Sequence, residues 1–186
     1  EPHAGTSSLA HYYGRAVRRL APALLLMLAI RTVASLWFLL PADLMAFAGS
    51  LLAVLTFTAN IYFWRDTDYF SSAAELKPLL HAWTLSVEEQ FYLLFPLLLI
   101  FLFRFARANA ALVIGAMAAA SALLWALAYR IGADGPAFFL LPTRASELLL
   151  GSLIALTVRS PDLPRAIRAA PLVQVGLMSY SLYLWH

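Results

Sequence analysis

The sequence predicts an all-α fold: a polytopic bundle of transmembrane helices with about five spans and a partial sixth. Three observations carry this. Hydrophobic residues make up 62% of the 186 and charged residues 12%, where a soluble domain is about half apolar and a quarter charged. The mean hydropathy is +0.77, so there is too little polar surface to coat a globule and the excess faces lipid. The apolar residues also fall in runs close to the ~20 residues that cross a bilayer, with no useful strand alternation and no internal repeat.

The elements follow in order. A polar, basic N-terminal segment ends at Arg15, Arg18 and Arg19, and the first span runs from Pro22 to Leu40. Pro41 to Asp43 forms a tight connection to a second span, Leu44 to Trp64. A polar loop, Arg65 to Lys77, precedes a third span from about Ser86 to Phe103. The short basic segment Arg104 to Asn109 leads to a fourth span, Ala110 to Tyr129. Gly132 to Pro136 is a breaker cluster, and the fifth span runs from about Thr143 to Val158. Arg159 to Ala170 is polar and basic, with Pro161 and Pro164; a sixth, incomplete span begins near Val173.

By the positive-inside rule the Arg15 cluster is cytoplasmic. Simple alternation of spans then places Arg104, Arg107, Arg159, Arg165 and Arg168 on the opposite side. Either the 65–85 segment re-enters the bilayer, or missing helices break the parity, or the rule is outweighed.

The chain has no cysteine, which excludes disulfide frameworks, thiol nucleophiles and sulfur-ligated metals. Lys77 is the only lysine among 13 basic residues and the net charge is +3. The arginines flank apolar runs and form no continuous stripe, which argues against nucleic-acid binding and for membrane edges or an anionic ligand. No zinc, phosphate-loop, dinucleotide or nucleophile-elbow motif is present. Glu1 to Tyr13 lacks a signal-peptide pattern; the first residue is not Met, and the chain reads as a fragment of a longer protein.

The segment from His81 to Tyr92 carries the densest chemistry. On a continuous helix His81, Glu88 and Tyr92 fall within about 40° of one another. That stripe suits proton handling, with His81 and Glu88 as base and orienting group. The alternative is a capping box, in which Ser86 caps a helix starting there and Glu89 caps back. Arg15, Arg18 and Arg19 share one helix face, where they either clamp a phosphorylated donor or anchor the helix at headgroups. Arg144 and Glu147 stand at i, i+3, as an ion pair that eases burial near lipid or as a cavity-facing pair. Arg31 sits mid-span. Asn60 is placed to hydrogen-bond between helices. Trp37, Tyr62, Trp64, Tyr69, Trp83, Tyr180 and Tyr183 read as an aromatic belt. His186, at the end of the chain, is an interface histidine on this reading.

Five segments, in order, resemble the acyltransferase 3 (O-antigen acetylase-like) family of membrane enzymes: Tyr12 to Pro22 with its Arg-x-x-Arg-Arg, Asn60 to Phe63 with Tyr69 and Phe70, Leu80 to Tyr92, Pro142 to Gly151, and Gly176 to His186. The resemblance spans residues 1–186 as a partial membrane domain. It implies transfer of an acyl group, commonly acetyl, from acyl-CoA to a carbohydrate of a surface polysaccharide or lipid-linked glycan, at the bacterial inner membrane. His81, Glu88 and Glu89 are then the catalytic candidates. Arg15, Arg18 and Arg19 would meet the phosphates of acetyl-CoA, a donor substrate and not a bound cofactor. Arg144, Glu147, Tyr92 and His186 are substrate or cavity candidates.

The sequence departs from the family in lacking the first helix with its Arg and His ten residues apart, and several late helices between Arg159 and Pro171. The fragment is therefore expected to be inactive alone. The competing readings are a transporter or channel-like protein, with Arg31, Glu88, Glu89 and Glu147 lining a path, and a non-catalytic remnant.

Overall fold

A computed structural model describes residues 4–66, 77–157 and 170–185. It is helical throughout, with no strand among the described residues. The order is α1 (Ala4–Phe38), α2 (Pro41–Leu55), α3 (Ala59–Arg65), α4 (Ala82–Phe105), a short 3-10 turn at Arg107–Asn109, α5 (Ala110–Arg130), α6 (Asp134–Phe139), α7 (Leu141–Thr157) and α8 (Ala170–Trp185).

Four stretches are long and apolar enough to cross a membrane: Leu9–Phe38, Ala82–Phe105, Ala110–Arg130 and Asp134–Thr157. Only 17–28% of each apolar window is buried inside the protein. The rest is a coat of large apolar side chains, Trp37 at 83% exposure and Phe38 at 85% among them. An apolar surface this continuous is a lipid-facing one. The protein is a multi-pass membrane protein.

Three predicted boundaries move. The first helix does not start at Pro22 but at Ala4, and carries Pro22 inside it. Proline removes one N–H from the ladder, the partner of the Arg18 carbonyl, yet the helix continues. The basic turn is therefore helical and continuous with the span. The third span begins at Ala82, not Ser86.

The second predicted span, Leu44 to Trp64, is the largest correction. It is two helices of 15 and 7 residues, broken at Thr56–Thr58. Phe57 takes a left-handed backbone, φ 54°, which a bulky residue adopts only when its surroundings impose it. Here they do: Gln90 on α4 donates to the Phe57 carbonyl at 2.8 Å, and the Thr58 N–H closes on the Ala53 carbonyl at 2.7 Å. At 15 residues α2 is about 22 Å long, short of the ~30 Å hydrocarbon core. Tyr62 on α3 turns back onto α2, its hydroxyl donating to the Ala46 carbonyl at 3.0 Å against Gly49. The pair is a helical hairpin and not a single span.

Two cores hold the bundle. One joins α1, α2, α3 and the start of α4 through Met27, Val54, Phe63, Leu79 and Leu85. The other joins α4, α5 and α7 through Phe91, Ile114, Ala118 and Leu149. Small residues let α5 and α7 pack closely, and buried Ser121 latches them, accepting from the Ser146 N–H at 2.9 Å and donating to the Pro142 carbonyl at 2.7 Å. The fourth and fifth spans fall where expected, except that six residues before α7 form α6, so that the breaker cluster breaks the chain only near Gly132, φ 75°.

Candidate active site

The segment His81 to Tyr92 is helical without interruption from Ala82, and His81 itself has helical angles, φ −57° and ψ −25°. The capping-box reading fails. Ser86 lies inside the helix, 1% exposed, and its hydroxyl accepts the Ala59 N–H at 3.1 Å. It satisfies one of the orphan donors at the start of α3, not of its own helix. Glu88 and Glu89 are thereby placed a turn and a half into α4 and are free of capping work.

Both carboxylates face a cavity of about 790 Å³ between α1, α4 and α8. Arg15 and Arg19 line it from α1; Glu88, Glu89 and Tyr92 line it from α4. Arg15 and Arg19 lie 40° apart on the helix wheel at ~100° per residue. All three arginines are exposed, but Arg18 is not among the lining residues. Among the described residues no Arg–Glu ion pair closes across this cavity; the two ion pairs found lie elsewhere. The space thus presents exposed cations on one wall and half-buried carboxylates on the other, unpaired with each other.

Three tyrosines complete it: Tyr12, Tyr180 and Tyr183. Tyr180 and Tyr183 are tethers as well as lining. The Tyr180 hydroxyl donates to the Leu20 carbonyl at 3.3 Å, and the Tyr183 hydroxyl bonds both Thr84 Oγ1 and the His81 carbonyl. Those bonds fix α8 against α1 and against the start of α4. Tyr13 donates to the Leu93 carbonyl at 2.8 Å, tying α1 to α4. Tyr180 and Tyr183 are therefore structural walls and not belt residues. Trp83 also leaves the belt: it is 7% exposed, packed on Phe138 and Phe139.

His81 shares the Glu88 stripe but does not line the cavity. It is half-buried, with its ring centroid 6.0 Å from that of Tyr183. His186 lies outside the described residues, as do Tyr69, Phe70 and the 158–169 segment.

Glu88 also faces a second, smaller cavity of about 180 Å³, with Arg144 and Glu147 on its far side. Arg144 and Glu147 form the expected i, i+3 pair at 2.8 Å. The Arg144 Nε donates to the Phe138 carbonyl at 3.0 Å, and its guanidinium lies over the rings of Phe138 and Trp83 at 5.0 and 5.6 Å. The pair is an intrahelical bridge that also borders this cavity.

Asn60 makes the interhelical bonds expected of it. It is 1% exposed, donates to the Phe139 carbonyl at 3.2 Å and accepts from Gln90 Nε2 at 2.9 Å. Sequence reading passed over Gln90, whose only signal was an amide inside a lipid-length helix.

The chain is 34% identical over 183 residues to a Komagataeibacter xylinus protein named as a membrane-bound transacylase, BcsY, a match covering 92% of this chain and 46% of that protein. It is 32% identical over 150 residues to the O-acetyltransferase OatA of Staphylococcus aureus, covering 79% of this chain and 24% of that protein. A Haemophilus influenzae protein of uncharacterized function is 30% identical over 155 residues, 63% of its length. The chain thus spans about half the length of the first relative and a quarter of the second. No family model matches the chain, and no solved structure matches it. The named relatives support a membrane enzyme of acyltransferase type.

Proposed function

We propose that this chain forms part of a membrane acyltransferase that moves an acyl group, acetyl in the simplest case, from acyl-CoA to a hydroxyl of a carbohydrate at the bacterial cytoplasmic membrane. The observation that carries the reading is the cavity with Arg15 and Arg19 on one wall and Glu88 and Glu89 on the other. Phosphates are dianionic and multiply hydrogen-bonding, and guanidinium groups match them. A carboxylate beside the acceptor hydroxyl accepts its proton as the oxygen attacks. The names of the two relatives favour this over a transport path lined by the same charges.

In the proposed reaction the acceptor oxygen forms a C–O bond to the thioester carbon and the C–S bond breaks. The hydroxyl proton passes to Glu88 or Glu89, and the departing thiolate leaves as free CoA thiol after taking a proton. Arg15 and Arg19 hold the donor; Tyr92, Tyr12 and Tyr183 shape the wall along which the thioester lies. His81, on the Glu88 stripe and against the Tyr183 ring, orients that wall. Arg144 and Glu147 border the acceptor side of Glu88.

The test uses the protein produced from its own gene, in nanodiscs, with acetyl-labelled acetyl-CoA and a panel of lipid-linked and free oligosaccharides. Acceptor-dependent release of CoA thiol with label recovered as sugar ester is the expected result. Charge-coupled flux of a solute through sealed liposomes, with no CoA release under any acceptor, would replace the enzyme by a transporter.

A further inference from the structure

Beside the charged cavity lies a second one of about 550 Å³ whose lining is almost wholly apolar. The two share Tyr12, Ala16, Leu20, Glu89, Tyr92 and Tyr180 as a common wall. On its own side the second cavity is bounded by Val17, Ala21 and Leu24 of α1 and by Thr56, Phe57 and Thr58. That last segment is the break between α2 and α3. Non-helical backbone at membrane depth is tolerated where protein covers it or where it lines a cavity, and broken helices mark binding sites in membrane proteins. The left-handed Phe57 and the Gln90 that bonds its carbonyl both line this cavity.

We infer that this apolar cavity receives the hydrocarbon end of the donor's acyl group, so that the enzyme transfers acyl chains longer than acetyl. The inference rests on the proposed function. The polarity runs in the required order: cations at Arg15 and Arg19, then the carboxylate Glu89 on the shared wall, then an apolar end with no charged group besides Glu89. A thioester with its phosphates on the arginines and its carbonyl at Glu89 points its alkyl end across that wall. Acetyl fills none of this space. A chain of roughly six to ten carbons extends into it, and each buried methylene stabilises the bound donor by about 0.8 kcal/mol, about fourfold in affinity. Ala21, which lines only this cavity of the two, is the position where added bulk would close it.

The protein in native membrane vesicles is given acetyl-, butyryl-, octanoyl- and palmitoyl-CoA with a carbohydrate acceptor, and the octanoyl-to-acetyl ratio of kcat/KM is measured. The expected ratio exceeds ten in the wild type and falls at least tenfold in Ala21→Phe. In parallel, octanoyl-CoA carrying a terminal diazirine is photolysed in the same membranes. Label is expected on peptides containing residues 17–24 and 56–58, removable by excess unlabelled octanoyl-CoA. This second readout stands if Ala21→Phe fails to fold. Label confined to the Arg15 and Glu88 walls, or a ratio below one that Ala21→Phe leaves alone, would overturn the inference and leave the acyltransferase reading intact. Label on 56–58 from a diazirine phospholipid that octanoyl-CoA does not displace would make the occupant a membrane lipid and overturn it too. No labelling and no turnover with any acyl-CoA would remove the functional reading and this inference with it.

Discussion

Replacing Gln90 with leucine tests the device that shapes the site. Gln90 Nε2 donates to the Phe57 carbonyl at 2.8 Å and to Asn60 Oδ1 at 2.9 Å, and Oε1 receives Asn60 Nδ2 at 3.4 Å. The first two are full hydrogen bonds and the third is at the limit. Bonds between membrane helices average about 0.6 kcal/mol, reaching about 1.7. Leaving a buried carbonyl or amide without its partner adds about 1–3 kcal/mol. The loss expected for Gln90→Leu is therefore about 2–3 kcal/mol. Asn60→Leu removes the same reciprocal amide pair, plus the bond to Phe139. The double variant loses the shared pair once, so its destabilisation falls short of the sum of the singles by about 1–2 kcal/mol. The assay is SDS-titrated unfolding in mixed micelles, followed by the fluorescence of the five tryptophans. Additivity within ~0.5 kcal/mol, or a Gln90→Leu loss below that, would refute the claim that Gln90 holds the break.

Three other outcomes follow from the same structure. A Cβ at Gly49 would stand 2.9 Å from the Tyr62 hydroxyl, so Gly49→Ala should cost about 1–3 kcal/mol in the same titration, and Tyr62→Phe added to it should recover part of the loss. Arg15→Ala and Arg19→Ala should each raise the KM for acyl-CoA about tenfold, equivalent to about 1.4 kcal/mol, while Arg18→Ala changes it less than threefold; steady-state kinetics against donor concentration decide this, and equal effects at all three would point to a headgroup anchor. If α1, α4, α5 and α6–α7 cross the membrane while α2–α3 turn back, Arg104 and Arg107 return to the side of the Arg15 cluster, as the positive-inside rule asks. The chain has no cysteine, so single cysteines at Ala106 and Ala133 report this directly: an impermeant maleimide added outside cells should label position 133 and spare 106.

The membrane bundle was legible in composition and run length, and α5 in particular was bounded to within a residue, because its apolar run ends on Arg130 and is flanked by polar turns. The broken second span was not legible. Thr56, Phe57 and Thr58 include neither glycine nor proline, and the agent of the break, Gln90, lies 33 residues away. Pro22 misled in the opposite direction, since a single missing N–H does not end a helix whose flanks are strong formers. The Ser86 motif fits both a cap and a helix interior, and only the Ala59 N–H arriving from another helix separates the two. Arg15, Arg19, Glu88, Glu89 and Tyr92 were singled out by residue type and do converge. That Arg18 does not line the cavity, and that Tyr180 and Tyr183 tether α8 beside it, depends on how three helices pack, which spacing along one helix does not encode. The conflict over arginine sidedness disappears if α2–α3 do not cross, an arrangement that sequence reading had not weighed.

The central claim is that the carboxylates opposite Arg15 and Arg19 take the acceptor's proton. The direct measurement is acceptor-dependent release of CoA thiol by the Glu88→Gln, Glu89→Gln double variant in nanodiscs, with acyl-CoA binding measured on the same preparation. The account predicts a fall in kcat of about 10²–10⁴-fold with donor affinity within about threefold of the wild type. Wild-type kcat in a variant that binds donor normally would contradict it.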